Sequence, residues 1–379
     1  MKKQSHGKGM EVLPEEMIME ILFKLNVKSL VRCKSVCKSW LSLISDSHFT
    51  KLHFDLSPAT EKFMIVSNRK LTTIDFNASL NYYSSCVHFE VPQRIFHPYY
   101  FKFGGSCRGF LLLESLKDKW LWNPCTGCYK QVCRSPLEYS FETNPNYDVL
   151  FRGLGYDPLT DDYLVVQLFS KLYSNDRKYA EVFSIRANKW KEIEPVNLSF
   201  TPCDSENYSP GRVLNNVIYW LGCCIKEEVN VFILGFDVTK RMFFEIAAPV
   251  DVAPVNYGNS KDRKALSELA GLLSLCVYTE SNHSIEIWSM KEYKIESSWT
   301  KTSVVSLVVP CRFFNLVCLT KDGDIVGKDG DELIKYNKKG EVKEILSWAR
   351  LNLSSFHFEI CKESLFSLPC HDEQAPKDI

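Results

Sequence analysis

Cysteine and histidine groups are the first residues of this chain that could do chemistry, because the sequence holds 15 cysteines and 8 histidines. Cys125-Thr126-Gly127-Cys128 is a C-x-x-C pair, and a second group consists of His357, Cys361, Cys370 and His371. A structural zinc site needs a second pair at suitable spacing, and a redox C-x-x-C needs a helix directly after it. The pair follows Trp122-Asn123-Pro124, which is typical of a turn, and the second group has no known metal-binding spacing. Both sets indicate ordinary side chains, with Cys361 packed as a small apolar group.

The sequence signatures of catalysis and cofactor binding are absent or incomplete. There is no G-x-S-x-G elbow, Walker loop or H-E-x-x-H helix. Gly153-Leu154-Gly155 begins a dinucleotide-like string, but Pro158 stands where the third glycine is needed. Asp322-Gly323-Asp324 lacks the remaining EF-hand ligands. No base or cationic site marks any cysteine as a nucleophile. We therefore expect a protein without catalytic residues, cofactor or metal.

Charge and hydropathy bound the possible partners. The 46 Lys and Arg residues cancel the 46 Asp and Glu residues, which argues against nucleic-acid binding through bulk positive charge. No stretch has the length and apolar content of a secretory signal or a membrane span. An odd number of cysteines in such a chain indicates reduced thiols. We expect a globular protein of the cytosol, the nucleus or both, with no nucleic-acid or membrane partner.

The elements that position these residues differ between the two ends of the chain, and residues 11–55 have the apolar spacing of helices. One stripe consists of Leu13, Met17, Ile18, Ile21, Leu22 and Leu25, and a second of Leu30, Cys33, Val36, Cys37, Trp40, Leu43 and Ile44. Pro14 suits the first turn, Asn26 interrupts the first helix, and Ser29 is placed to cap the second. The spacing predicts a small all-α domain, a helical hairpin of about three helices, after a flexible tail at 1–10.

Residues 56–368 contain short apolar runs broken by Gly, Pro, Asn and Asp, which is typical of strands and turns. An aromatic residue followed by a small polar one recurs about every 50 residues, the period of four-stranded propeller blades. The copies are Phe76-Asn77, Trp122-Asn123, Phe183-Ser184, Phe236-Asp237, Trp288-Ser289 and Tyr336-Asn337, with an extra one at Tyr156-Asp157. Unrelated β-turns would give similar pairs, but the near-regular spacing favours repeats. The pattern predicts a large all-β propeller-like domain of about six blades, with a C-terminal tail at 369–379.

One ordered string in the helical region resembles the F-box. It runs Leu13-Pro14-Glu15-Glu16, Ile21-Leu22, Val27-Lys28-Ser29-Leu30 and Val36-Cys37-Lys38-Ser39-Trp40. Plant members commonly have proline where this chain has Asn26, which we expect to loosen the turn between the helices. The resemblance implies docking on a Skp-type adaptor, which in turn binds a cullin scaffold carrying a RING subunit. The implied adaptor-binding residues, in which self-packing and adaptor contact are mixed, are Leu13, Pro14, Ile21, Leu22, Leu30, Val36, Cys37 and Trp40.

The β-region resembles the F-box-associated domain of the large plant F-box family. Its landmarks include Ser106-Cys107-Arg108-Gly109-Phe110, Trp122-Asn123-Pro124, Gly155-Tyr156-Asp157-Pro158 and Val217-Ile218-Tyr219-Trp220-Leu221. The period is also similar to that of kelch repeats, although the kelch glycine doublet occurs only at Gly104-Gly105.

The F-box resemblance, together with this second one, implies a non-catalytic substrate receptor of an SCF-type (Skp–cullin–F-box) ubiquitin ligase. Its β-domain would bind an unknown target protein for ubiquitination and proteasomal degradation. Two alternatives remain open. One is a non-degradative binding scaffold, in which the F-box serves assembly only. The other is a propeller enzyme, which the missing catalytic motifs disfavour.

Overall fold

A computed structural model of the chain describes most of the residues between 13 and 368. The described ranges are 13–56, 61–67, 70–75, 80, 86–95, 102–115, 118–142, 147–171, 178–196, 201–202, 210–225, 229–252, 262–309, 311, 314–320, 322–330, 332–347 and 357–368. Within these ranges a group of helices precedes a six-bladed β-propeller, as expected from the sequence. No described helix has the length and apolar content needed to cross a bilayer. The tails expected at 1–10 and 369–379 lie outside the described residues.

Four helices form the N-terminal helical unit: α1 (Glu15–Phe23), α2 (Val27–Cys33), α3 (Lys38–Ser45) and α4 (Ser47–Leu56). Pro14 directly precedes α1, and its carbonyl oxygen accepts the first helical hydrogen bonds. Asp46 starts α4, because its Oδ1 accepts from the backbone N–H groups of His48 and Phe49, both at 3.0 Å. Because the second apolar stripe is interrupted between α2 and α3, it forms two helices rather than one.

Asn26, and not Ser29, caps α2. The Asn26 Oδ1 accepts from the backbone N–H of Ser29 at 2.8 Å. Ser29 therefore contributes its backbone, and the prediction that its side chain provides the cap is wrong. The same hydrogen bond stabilises the start of the helix, and a looser turn than proline would give stays a prediction.

The described strands form six antiparallel sheets, one for each blade. Blade 1 contains β1 (Glu61–Ser67), β2 (Lys70–Asp75), β3 (Cys86–Glu90) and, from the far end of the chain, β25 (His357–Lys362). Blade 2 contains β4 (Lys102–Cys107), β5 (Phe110–Glu114), β6 (Lys119–Trp122) and β7 (Tyr129–Val132). Blade 3 contains β8 (Tyr147–Asp157), β9 (Asp162–Lys171), β10 (Lys178–Ser184) and β11 (Lys189–Val196), and α5 (Pro136–Glu142) precedes it.

Blade 4 contains β12 (Thr201–Pro202), β13 (Arg212–Leu214), β14 (Val217–Ile225), β15 (Val229–Asp237) and β16 (Met242–Ala247), with β12 and β13 both paired to β14. Blade 5 contains β17 (Arg263–Leu269), β18 (Leu272–Thr279), β19 (Ser284–Met290) and β20 (Trp299–Ser306), with short 3₁₀ helices at Glu280–Asn282 and Glu296–Ser298. Blade 6 contains β21 (Phe314–Leu319), β22 (Ile325–Asp329), β23 (Glu332–Tyr336) and β24 (Val342–Ser347).

The first strands of the blades surround the centre of the ring. Strands β25, β4, β8, β13, β17 and β21 hold this position, and first strands of different blades contact one another there. Gly105 in β4 forms an isolated parallel bridge with Gly211, which directly precedes β13. A Cβ on Gly211 would lie 2.3 Å from the Ile218 side chain, so only glycine permits this approach. Gly105 itself has a φ of +144°, which side chains rarely adopt, and this accounts for half of the glycine doublet at Gly104-Gly105.

The repeated aromatic residue occupies the same place in each blade. Trp122, Phe183, Phe236, Trp288 and Tyr336 lie in β6, β10, β15, β19 and β23, the third strand of each blade, and all are buried. The remaining copy, at Phe76, lies outside the described residues. Because buried aromatics fill the space between neighbouring sheets, one per blade gives the period read from the sequence.

The polar residue after the aromatic opens the turn toward the fourth strand. Asn123 Oδ1 accepts from the Cys125 N–H at 3.0 Å, and Asn337 Oδ1 accepts from the Lys339 N–H at 2.8 Å. Side chains of this kind imitate a backbone turn. The extra copy, Tyr156-Asp157, lies at the turn after the first strand β8, so it is not a blade repeat.

The C-terminal strand closes the ring. β25 pairs with β1, with Ile360 opposite Phe63, and the Lys62 ammonium lies 2.6 Å from the Glu363 carboxylate. The closing segment (residues 363–368) then crosses to blade 2. There the fully buried Asn123 donates from Nδ2 to the carbonyl oxygens of Ser364 at 3.2 Å and Phe366 at 3.0 Å. One amide therefore opens a turn with its oxygen and anchors the end of the chain with its nitrogen.

Replacing the Asn123 side chain tests its role in closing the propeller ring. We expect Asn123→Ala to lower the free energy of unfolding by about 2–4 kcal/mol, because buried carbonyl groups lose their donor. Asn337→Ala, at the equivalent repeat position, should cost about 1 kcal/mol, because the Asn337 side chain serves its own turn. Urea denaturation of both variants measures the difference, and equal losses would contradict a special role for Asn123 in closure.

Candidate functional site

The helical unit has a small buried core. Leu22 of α1 and Leu30 of α2 are fully buried, and they pack with Ile44 of α3, Phe49 of α4 and Leu365 of the closing segment. Leu22 and Leu30 were among the residues expected to bind the adaptor. They lie inside the unit, where they stabilise it and offer no side-chain surface to a partner.

Helix α4 is fixed to the rest of the helical unit by polar and aromatic contacts. The buried His53 ring bonds through Nε2 to the carbonyl oxygen of Leu25 at 2.8 Å. The rings of Phe23 and Phe49 stack with their centroids 4.7 Å apart. These contacts join the end of α1 to α4, so the helices form one packed body.

The helical unit leaves five large apolar side chains exposed at α1, between α2 and α3, and on α3. This set, called the apolar face below, consists of Leu13, Met17, Ile21, Val36 and Leu41. Their exposed fractions are 51%, 51%, 48%, 63% and 46%. Leu13, Met17 and Ile21 are four residues apart, so they follow one side of α1 and the residues before it. Large apolar side chains exposed together on so small a unit are typical of a protein-interaction surface.

The predicted adaptor-binding residues therefore divide into two groups. Pro14 and Cys37 are exposed together with Leu13, Ile21 and Val36, and Trp40 is half-buried. Met17 and Leu41 are exposed as well, although neither is among the residues predicted from the sequence to bind the adaptor. The four-residue spacing from Leu13 would have identified Met17, but Leu41 lies outside the second apolar stripe and carried no such signal.

Cations accompany the apolar face. Lys24, Lys28, Arg32 and Lys38 are exposed, whereas Lys34 is half-buried, and burial lowers the pKa of its ammonium group. The carboxylates of Glu15, Glu16 and Glu20 are exposed on α1. The helical unit therefore exposes charges of both signs in addition to its apolar side chains, and complementary charge on a partner would speed and orient its docking.

Cys37 is an exposed thiol at the start of α3. Its Sγ lies 3.0 Å from the Ser39 hydroxyl oxygen. The Ser39 hydroxyl and the backbone N–H groups of Trp40 and Ser39 stabilise the thiolate, which lowers the pKa of Cys37. Among the residues expected to contact the adaptor, Cys37 is therefore the one whose accessibility can be measured by chemical labelling.

The other cysteines singled out by the sequence occupy packed positions. Cys125 contacts the helical core from the turn between β6 and β7, and burial raises its pKa to about 12. Cys361 in β25 is buried in an apolar cluster with Met64, as expected, and burial raises its pKa well above the usual value. Cys370 and His371 lie outside the described residues. Among the described side chains, no group of three or more His, Cys, Asp or Glu residues is arranged to hold a metal ion.

An arginine and a group of aromatic rings join the helical unit to the propeller. The Arg108 guanidinium lies 3.8 Å from the centroid of the Tyr156 ring and 3.9 Å from that of Phe366. The Phe366 ring lies 5.2 Å from Phe54 of α4, and the Lys362 ammonium donates to the Phe54 carbonyl oxygen. Cation–π contacts of this kind hold planar groups in fixed orientation, so α4 is attached to blades 1, 2 and 3.

Comparison with known proteins agrees with this architecture. The F-box domain model matches residues 10–52, and the F-box associated beta propeller domain model matches residues 52–331. A helical unit with an exposed apolar face followed by a propeller is the arrangement of an F-box receptor. The chain belongs to the F-box associated beta propeller family, with an N-terminal F-box.

Related proteins support the same assignment. An F-box/kelch-repeat protein of Arabidopsis thaliana is 28% identical over 304 residues, which cover 76% of this chain and 78% of the relative. The F-box protein CPR1 of Arabidopsis thaliana is 28% identical over 313 residues, which cover 78% and 73%. One chain of the crystal structure of a nidogen/laminin complex aligns at 11% identity and a TM-score of 0.46, over 80% of this chain and 98% of that one.

Family membership gives the general role. Proteins with an F-box and this propeller act as SCF substrate adaptors, and they are typically receptors rather than catalysts. The F-box implies binding to a Skp-type adaptor in general.

Two neighbouring residues of α1, one buried and one exposed, allow a test of which side chains stabilise the helical unit. We expect Leu22→Ala to destabilise the helical unit by about 2–5 kcal/mol, because it leaves a cavity in a closed core. Ile21→Ala should change stability by less than about 1 kcal/mol, because nearly half of the Ile21 side chain is already in water. Thermal unfolding of the two variants checks this, and similar losses would show that α1 packs differently.

Proposed function

We propose that this chain is the substrate-recognition subunit of an SCF-type ubiquitin ligase. The F-box docks on a Skp-type adaptor, and through it on a cullin and a RING subunit. The propeller binds a target protein, which is ubiquitinated and then degraded by the proteasome. The observation that carries this proposal is the exposed apolar face of the helical unit, in a segment that matches the F-box.

The apolar face supplies the free energy of docking. Fully burying a side chain such as leucine, isoleucine or methionine contributes about 1.5–3 kcal/mol. Five such side chains, each already about half exposed, give a partner helix or groove enough apolar surface for stable binding. The exposed cations around the face favour a partner with acidic residues at its rim.

The receptor role needs no catalytic side chain. A receptor accelerates ubiquitin transfer by raising the effective concentration of target lysines near the charged conjugating enzyme. This requires that the bound target be held in a defined position relative to the F-box. The contacts of Arg108, Phe366 and Phe54 provide such a connection between the two domains. We place the complex in the cytosol, the nucleus or both.

Substitutions on the apolar face test adaptor docking. We expect Ile21→Asp and Val36→Asp each to weaken binding to a Skp-type adaptor by at least about tenfold, because each places a charge in an apolar contact. Leu159→Asp is the matched control, since Leu159 is 81% exposed in a propeller turn and should bind as wild type. Calorimetric titration gives the dissociation constants. Unchanged affinity in both face variants, with folding verified by circular dichroism, would refute docking through this face.

Labelling of Cys37 adds an independent readout on the unmodified chain. Near neutral pH we expect iodoacetamide to react with Cys37 and the reaction to slow at least about tenfold when the adaptor is bound. Cys133, an exposed thiol beyond β7 on the propeller, serves as the control, and its labelling rate should not change. Peptide mass spectrometry separates the two sites. Equal labelling of Cys37 with and without adaptor would place the contact elsewhere.

The abundance of the bound target separates degradation from scaffolding. Proteins captured on the propeller from cells should accumulate when the proteasome is inhibited, and also when the chain carries Ile21→Asp. Both effects follow because ubiquitination needs the propeller and the F-box in one complex. A captured protein whose half-life is the same under all three conditions would favour the non-degradative scaffold, in which the F-box serves assembly only.

A further inference from the structure

A cavity of about 680 Å³ lies at the centre of the propeller, on the side that faces the helical unit. Its walls include the ends of the first strands β25, β4, β8, β13 and β17, and one wall is formed by Lys51, Phe54 and Asp55 of α4. We call it the hub cavity. Pockets for small molecules are commonly about 300–1,000 Å³, so this one has the size of a ligand site. An occupant would touch both the F-box and the propeller.

The charged residues that line the hub cavity carry one more positive than negative charge. Lys51, Arg108, Arg212 and Lys362 contribute positive charge, and Asp55, Glu268 and Glu359 contribute negative charge. Arg108 is held between two aromatic rings by the contacts described above, so its guanidinium has a fixed orientation. Fixed cations lose little entropy when an anion binds.

Arg212 is the best-placed cation for a ligand. Its Nη1 donates to Glu359 Oε1 at 2.7 Å, and a quarter of its side chain remains exposed. A guanidinium has five N–H donors in a planar fork, which suits carboxylate and phosphate oxygens. One nitrogen is used on Glu359, so the arginine is oriented by a partner and keeps further donors for an occupant of the cavity.

Glu359 is the ion-pair partner of this cation. Its side chain is almost fully buried, Oε1 also accepts from the Ser106 hydroxyl at 3.2 Å, and Oε2 has no hydrogen-bond partner. Burial raises the pKa of this carboxyl group, while Arg212 acts in the opposite direction. Arg212 and Glu359 therefore form a close ion pair, and the further N–H groups of Arg212 remain for an occupant of the cavity.

We propose that the hub cavity binds a small organic molecule with carboxylate or phosphate groups, and that Arg212 is its principal contact. Such a ligand would sit between α4 and the first strands of the propeller. None of the residues that line this cavity belongs to the apolar face.

The test uses the purified full-length chain with citrate, pyrophosphate and fructose 1,6-bisphosphate as probes and spermidine as a cationic control. We expect at least one anionic probe to raise the unfolding temperature and to give a measurable dissociation constant by calorimetry, and spermidine to do neither. Arg212→Gln should weaken that binding at least about tenfold, because a charge-assisted contact is lost. Arg212→Lys, which keeps the charge, should bind more tightly than Arg212→Gln and verifies that the loss is not caused by misfolding.

Substitution of Glu359 should change anion binding in the opposite direction from substitution of Arg212. Glu359→Gln removes a negative charge from the wall and should tighten anion binding about threefold or more, whereas a merely structural role for this residue would weaken binding. Arg134→Gln, an exposed arginine beyond β7, is the control and should leave binding unchanged.

No binding of any anionic probe, or equal binding by wild type and Arg212→Gln, would overturn the proposal. Binding of a hexaglutamate peptide but of none of the small anions would likewise overturn it, in favour of an acidic protein segment.

Discussion

The closing segment (residues 363–368) is the element on which the rest of the structure depends. It follows the strand that completes blade 1, it is held on blade 2 by the Asn123 amide, and it inserts Leu365 into the helical core. Phe366 also forms one side of the Arg108 stack. A single extended stretch therefore closes the ring and attaches the F-box. Because these contacts are shared, stability of the ring and position of the F-box are coupled.

The helical unit divides its apolar residues between two purposes. Leu22 and Leu30 are needed inside, because four short helices cannot form a stable body without a closed core. Ile21 and Val36 remain outside, where they are available to a partner. A unit so small cannot bury every apolar side chain, and the propeller covers the part of the helical core where Leu365 and Cys125 pack. The exposed remainder supports the proposed docking role.

The propeller could be predicted from the sequence because its blades repeat. Each blade needs one buried aromatic in its third strand and a side chain that opens the following turn, so pairs such as Phe236-Asp237 and Tyr336-Asn337 recur with the blade period. Tyr156-Asp157 has the same local chemistry in a different turn, which is why it appeared as an extra copy. The cap of α2 was misassigned because Asn26 and Ser29 are both good capping residues, and only backbone geometry distinguishes their roles.

The sequence by itself determined the F-box, the all-β domain and its six blades, because helix spacing, strand alternation and blade period are local or periodic properties. Only the tertiary structure decided which apolar residues of the F-box face a partner, since Ile21 and Leu22 are adjacent in sequence and differ only in what packs against them. The hub cavity likewise required folding. Arg108, Arg212 and Glu359 lie far apart along the chain, and closure of the ring brings them together in the lining of one cavity.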